Sequence, residues 1–312
     1  MPRLLGASLY VPANHKDLME VADGVLLGQA KSLIFCTEDA VAERDLSYAL
    51  FNLSVVLANM ARDAPAQRFV RVRNADVMTR VLAMPGADKL AGFVIPKATR
   101  HNFDSYFRQV RDTEHVLMPT LETVEVFDDG EMRQLRALLD VPGVRNRILA
   151  LRIGGNDLLA LMGLRRPRGM TLYRTPLGPV IARLATTFLP YGFVLTAPVF
   201  EYLDLPALLD QEVAEDIAHG LTGKTAIHPS QIAAIERHYS VPPADLEAAR
   251  AILDPASPAV FCLHGAMCEV ATHRAWAERT LEQSRMFGAH GAGTQPAPAG
   301  DSQPDFSFTR QE

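Results

Sequence analysis

The sequence predicts an α/β chain, a (β/α)8 barrel with a helical extension after its last unit. Three observations lead there. Eight short runs of strand composition each precede a segment with helical spacing. The runs are apolar throughout instead of alternating, as parallel strands covered on both faces must be. Neither G-x-G-x-x-G nor G-x-x-x-x-G-K-[ST] occurs, which turns the reading from an open nucleotide-binding sheet to a closed barrel.

The first unit is Ser8–Pro12 with the helical stretch HKDLMEVADGVL, and the second is Lys31–Cys36 with DLSYALFNLSVVLANMARD. Arg68–Arg73 leads into DVMTRVLAM, Gly92–Lys97 into NFDSYFRQVRD, and His115–Glu122 into DDGEMRQLRALLD. Arg147–Gly155 leads into DLLALMGL and, after the basic loop Arg165–Arg174, into PLGPVIARLATTFLP. Gly192–Val199 precedes PALLDQEVAEDIAHG, and Lys224–His228 precedes PSQIAAIERHY. A barrel over residues 1–240 is therefore expected. Residues 241–288 read as two helices joined by a loop, a lid or oligomerisation segment. Residues 289–312, rich in Gly, Ala, Pro and Gln, read as a disordered tail.

Composition sets the function classes. Apolar residues make up 48% of the 312, enough to fill a sizeable core. A net charge of −5 offers no electrostatic footprint for nucleic acid or acidic lipid. No apolar run reaches the length of a membrane span, the first residues lack a signal-peptide pattern, and three cysteines are too few for a disulfide scaffold. A cytoplasmic protein is the expectation.

Barrel active sites sit on the loops after the strands, and here those ends are polar. Strand two runs into Thr37-Glu38-Asp39, and strand three carries Arg71 and Arg73 before Asn74. The others end in Lys97, Glu122, Asn156-Asp157 and His228. Taken singly, Asp39 and Asp157 would serve as helix caps. Taken together, the ends point to one site. Glu122 and Asp157 end adjacent strands about 5 Å apart, so both can share a hard divalent cation, and two carboxylates with open positions suit Mg2+. Gly154 and Gly155 remove side chains, letting a small substrate approach the backbone N–H groups of Gly155 and Asn156 at a helix start. Arg71 is a bidentate partner for a carboxylate. The set fits a 2-oxo or 2-hydroxy acid held on a metal with stabilisation of its enolate. Lys97 and Glu38 read equally well as catalytic groups or as a salt bridge across the mouth. The basic loop Arg165–Arg174 reads as an anion-binding edge. Cys262, His264 and Cys268 match no usual zinc spacing and lack a fourth ligand, so the cysteines read as buried thiols. His15, His101, His219, His238 and Trp276 read as surface or packing residues.

These motifs resemble the HpcH/HpaI aldolase and citrate lyase β-subunit-like superfamily of metal-dependent C–C bond lyases. The likeness covers about Leu4 to Gly288 and rests on LYVPAN, TEDAV, VRVRN, GFVIPK, LETV, GGNDLLALMG and GLTGKTAIHPSQI, in that order. The resemblance implies Mg2+ on Glu122 and Asp157 and a substrate carboxylate on Arg71. It also implies a homo-oligomer, trimer or hexamer, in which the segment GAMCE covers a neighbouring subunit's site and offers Glu269 as acid/base. Cys36 and Ala197 stand where the family carries acids, and Asn14-His15 where it carries an arginine. These departures are closest to a divergent branch encoded with tellurite-resistance biosynthetic operons. The expected activity is C–C bond cleavage or formation on a small 2-oxo or 2-hydroxy acid or its thioester. Hydrolysis of a malyl-type thioester and a non-catalytic metabolite-binding barrel are the alternatives.

Overall fold

Each of the eight apolar runs becomes a strand, and parallel pairing in chain order makes the sheet. The structure, a computed structural model, describes residues 5–289. The strands are β1 (Gly6–Pro12), β2 (Ser32–Cys36), β3 (Gln67–Arg71), β4 (Gly92–Ile95), β5 (Val116–Leu121), β6 (Leu151–Ile153), β7 (Leu195–Thr196) and β8 (Gly223–Ala226). Their spatial order is β7-β6-β5-β4-β3-β2-β1-β8, and a parallel bridge between Ala197 and Lys224 joins the two ends. The barrel is thereby closed, which removes the exposed sheet edges.

The helices that follow the strands are α1 (Leu18–Ala22), α2 (Leu46–Asn59), α3 (Ala75–Leu82), α4 (Phe103–Val110), α5 (Asp129–Leu139) and the short α6 (Pro142–Arg145). After β6 come α7 (Gly155–Leu161) and α8 (Leu177–Phe188), then α9 (Pro206–Ala218) after β7 and α10 (Ser230–Glu236) after β8. Two start where short polar side chains satisfy free N–H groups: Asn74 Oδ1 accepts from Val77 N–H at 2.9 Å, and Asp128 Oδ1 from Glu131 N–H at 2.9 Å. The strands are shorter than the apolar runs. The sixth run begins at Arg147 but pairs as a ladder only from Leu151, and the seventh holds two paired residues.

Inside the barrel, Ile34, Phe69, Val94 and Met118 from β2 to β5 pack together, with Tyr10 of β1 against them. Alternation along each strand returns the next inward positions, Cys36, Arg71 and Thr120, to the same interior one layer higher. Hydrophobic burial holds the lower layer, at about 1.5–3 kcal/mol per side chain. The upper layer is polar, and that layer is where the site lies.

The chain divides into two compact units, residues 1–235 and 236–312. In the second, α11 (Pro243–Leu253) and α12 (Val270–Phe287) flank β9 (Val260–Leu263) and β10 (Ala266–Glu269). The loop expected between two helices is therefore a hairpin. His264 and Gly265 both take positive φ, 50° and 76°, the geometry of a two-residue turn whose twist matches its strands. The boundary falls before 240 because Tyr239 packs on Phe287, ring centroids 5.4 Å apart, and its carbonyl accepts from Gln283 Nε2 at 2.8 Å. Cys268 is buried with Ala249, Ile252 and Ala277, while Cys262 is exposed and His264 Nε2 meets Glu247 Oε2 at 3.0 Å. Trp276, read as packing, is 42% exposed. The expected tail lies, apart from Ala289, outside the described residues.

Candidate active site

The register of two neighbouring strands builds the centre. Thr120 and Leu121 of β5 pair with Arg152 and Ile153 of β6, so Glu122 and Gly154 come side by side just above the ladder. A cavity of about 300 Å3 opens there, lined among others by Asp39, Arg71, Glu122, Asn156 and Asp157. All of its lining residues belong to the 1–235 unit.

Glu122 is buried at 3% exposure, and its Oε1 accepts from Lys97 N–H at 2.8 Å and Arg71 Nη2 at 3.1 Å. Burial pushes its carboxyl up to about 7; the Arg71 charge opposes this and Asp157 adds to it. The glycine beside it has a task that the sequence did not indicate. A Cβ on Gly154 would stand 2.4 Å from both Cβ and Oε2 of Glu122, and one on Gly155 would stand 2.8 Å from Pro198 Cβ. Gly154 thus makes room for the carboxylate and Gly155 for packing against Pro198, and both line the cavity. Gly154→Ala is expected to displace Glu122 and weaken divalent-cation affinity at least about tenfold while the barrel stays folded, measured by Mn2+ titration beside circular dichroism.

Asp157 is the third residue of α7, with its side chain 34% exposed and Oδ1 3.9 Å from Lys97 Nζ. Gly154, not Asp157, occupies the cap position, so the carboxylate is left for the cavity. Arg71 contributes one nitrogen, Nη2, to three carboxylates: Glu38 at 2.8 Å, Asp39 at 3.0 Å and Glu122 at 3.1 Å. Burial works against its charge, and Tyr10 and the surrounding anions more than offset it, raising its pKa. Lys97 donates from Nζ to Glu38 Oε1 at 2.8 Å, and its φ of 48° turns its N–H onto Glu122. A non-glycine residue held in the left-handed region is strained, and here the strain serves the site. Burial would raise the Glu38 carboxyl, but hydrogen bonds from Asp39 and Lys97 and the Arg71 charge hold it well below the usual range. Asp39 is pushed up, by burial first and then by Glu38. The salt bridge weighed for Lys97 and Glu38 is thus formed.

Other strand ends go elsewhere. Arg73 donates to the carbonyls of Thr37, Glu38 and Val41, tying down the loop that carries Glu38 and Asp39. Thr37 donates to Arg71 O, and Asn74 caps α3. His228 meets Ser230 Oγ at 2.8 Å at the start of α10, leaving Ile227 to the cavity. Acids take up three of the four arginines in the basic loop: Arg166 pairs with Glu212, Arg168 with Asp204, and Arg165 lies 3.8 Å from Glu201, while Arg174 is exposed. Glu269 ends β10 in the second unit, its N–H donating to His273 Nδ1 at 3.1 Å.

Among the lining residues that the sequence does not mark are two charged ones. Glu201 follows β7 and carries a buried Oε1 without a hydrogen bond. Arg152 was hidden inside an apolar run, although a lone cation two positions before Gly154 shares its inward phase. Among the described residues no group of three or more His, Cys, Asp and Glu is placed to hold a metal. Glu122 and Asp157 both line the cavity, and two carboxylates are too few for a closed structural zinc site but suit Mg2+, which keeps waters or takes substrate oxygens.

A family model described as C-C bond lyase of the TIM-barrel fold matches residues 1–289. A citrate lyase subunit beta-like protein of Deinococcus radiodurans is 26% identical over 282 residues, covering 85% of this chain and 90% of its own length. Among solved structures, CitE of Mycobacterium tuberculosis in complex with magnesium, acetoacetate and coenzyme A aligns with a TM-score of 0.66 and 20% identity, over 90% of this chain and 98% of that one. Haloferax volcanii malate synthase, as a lead(II) complex, aligns at 0.65 with 17% identity, over 75% and 73% of the two chains.

Proposed function

The chain belongs to the C–C bond lyase family of the TIM-barrel fold, within the citrate lyase β-like superfamily, and from that premise we propose that it makes or breaks a C–C bond of a small 2-oxo or 2-hydroxy acid, free or as a thioester, at a Mg2+ held by Glu122 and Asp157. The observation that carries this reading is the β5–β6 register, which sets Glu122 beside the Gly154–Asp157 turn at the mouth of one cavity. The similar CitE structures contain magnesium with small acids such as pyruvate or oxaloacetate. Glu122 and Asp157 would hold the cation, which when bound would supply Lewis-acid stabilisation of developing negative charge.

The chain's own groups do the rest. Gly155 and Asn156 offer first-turn N–H groups to orient the acid, and Arg71 keeps Glu122, Glu38 and Asp39 together at the rim. Lys97 holds Glu122 through its backbone and Glu38 through its ammonium. Glu269, reaching a neighbouring subunit of a trimer or hexamer, is the acid/base that moves the proton. Soaking crystals with Mg2+ and pyruvate tests the reading: density chelated between Glu122 and Asp157 is the expected result, and an empty or collapsed mouth overturns it. Product analysis separates cleavage, which yields two carbon fragments, from thioester hydrolysis, which keeps the skeleton.

A pH dependence follows. Protons compete with the cation for a Glu122 carboxyl that titrates at about 7. Mn2+ affinity is expected to be full above that value and to fall about tenfold per pH unit below it. A flat profile from pH 5 to 8 would remove Glu122 from the ligand set.

A further inference from the structure

Arg152 is 2% exposed, inside the barrel, and lines the cavity. Its Nη2 donates to Thr225 Oγ1 at 2.6 Å, and its guanidinium lies 5.4 Å from the centre of the Tyr10 ring. Among the described residues it makes no ion pair, whereas Arg71, in the same cavity, is shared among three carboxylates. Its Nη1 is buried and has no hydrogen-bond partner. The two residues paired with it across the strands are Thr120 of β5 and Thr196 of β7, and both have buried hydroxyls without partners. Two in-register neighbours thus hold unspent hydrogen-bonding capacity beside one uncompensated cation. Buried polar groups are nearly always satisfied, and a buried charge without a counter-charge costs several kcal/mol. Such an arrangement in the wall of a cavity points to an anion that arrives with the ligand.

We propose that Arg152, with the Thr120 and Thr225 hydroxyls, receives a second carboxylate of the substrate, and so selects a small dicarboxylic acid over its monocarboxylic counterpart. The inference rests on the preceding reading for the other end of the molecule, where the 2-oxygen and its adjacent carboxylate face Glu122 and Asp157. Arg71 then acts on the acids that surround it, and Arg152 is the specificity residue. A guanidinium matches a carboxylate through two parallel N–H donors, and threonine hydroxyls add donors at the sides. No bond is made or broken by this contact. Its role is affinity and orientation.

The matched probes are malate and lactate, which differ by one carboxylate in place of a hydrogen, with affinities measured by calorimetry in Mg2+ for the whole chain. Wild type is expected to bind malate at least about thirtyfold more tightly than lactate. Arg152→Met is expected to abolish that preference while leaving lactate affinity and Mn2+ binding within about twofold. Arg152→Lys, which retains a cation without the fork, is expected to keep part of it. Equal affinity of wild type for the two acids overturns the proposal, as does an equal loss of both in Arg152→Met. Should Arg152→Met fail to fold by circular dichroism, Arg152→Lys decides: an unchanged malate-to-lactate ratio overturns it. Mn2+ titration of wild type runs separately. Its failure removes the metal reading, while the acid preference, measured again without metal, still tests Arg152.

Discussion

Glu122→Gln is expected to abolish divalent-cation binding and to lower turnover by at least about a thousandfold, roughly 4 kcal/mol of transition-state stabilisation. The amide keeps the size of the carboxyl and still accepts from Lys97 N–H, so the strained turn at Lys97 has its partner. Arg71 retains Glu38 and Asp39. The substitution therefore tests the chemistry without dismantling the rim. Stability gives an independent check. Glu122 titrates at about 7 in the fold against an ordinary 4.5, chiefly through burial, so the folded state prefers its neutral form. In the metal-free wild type, the cost of ionising it is absent below the ordinary value, builds as pH rises towards 7, and is complete above. Glu122→Gln escapes that cost and is expected to melt higher than metal-free wild type at pH 8 and about equally at pH 4. A variant that bound Mn2+ like wild type, measured by titration, would end the two-carboxylate reading. Asp157→Asn is expected to lose the metal as well, with little change in stability because its side chain is partly exposed.

Lys224→Met is expected to destabilise the barrel by about 3–5 kcal/mol, lowering the melting temperature by roughly 10 °C in a thermal scan. Lys224 is fully buried in β8, where Nζ donates to Glu212 Oε1 at 2.9 Å and Asp216 Oδ2 at 2.8 Å, both on α9. Glu212 Oε2 also accepts from Arg166 and from Leu172 N–H, and Asp216 Oδ1 from Tyr173 OH at 2.6 Å. One ammonium thus clamps a strand, a helix and the loop that leads to α8. Removing it leaves Asp216 with only the Tyr173 hydroxyl and Glu212 with Arg166 and one N–H. Burial already raises the Asp216 carboxyl, whereas Lys224 and Arg166 hold Glu212 below its usual range despite burial. The Glu212 direction depends on those cations, and losing Lys224 would push the Asp216 carboxyl higher still. The variant should retain Mn2+ binding at low temperature, since Lys224 faces away from the cavity residues Thr225 and Ile227. A loss under about 1 kcal/mol would show that the network is not a structural clamp.

Legibility followed locality. The eight runs were visible because apolar composition and helical spacing are properties of short segments, and their parallel order follows from alternation along the chain. The G-K pair of GLTGKTAIHPSQI is read from sequence as a family signature, yet its lysine works in the clamp behind the barrel. The basic loop looks free in sequence because the partners of three of its arginines, Glu212, Asp204 and Glu201, lie 36 to 46 residues along the chain. Apolar runs exceed the strands where the backbone stays packed but forms no continuous ladder, as at Arg147–Ala150, where a single bridge joins Ile148 to Leu117.

The sequence by itself determined that this chain is a barrel with polar strand ends, that Glu122 and Asp157 close neighbouring strands, and that its motifs are those of C–C bond lyases. Only the tertiary structure decided which of those ends meet. It assigned Gly154 to the Glu122 carboxylate, shared Arg71 among three acids, turned His228 away, and exposed Arg152 as an uncompensated cation between Thr120 and Thr196. The reason is geometric. A residue's place on a strand is local, but its inward or outward phase and its neighbours across the ladder are set by register, and closure fixes register for all eight strands at once.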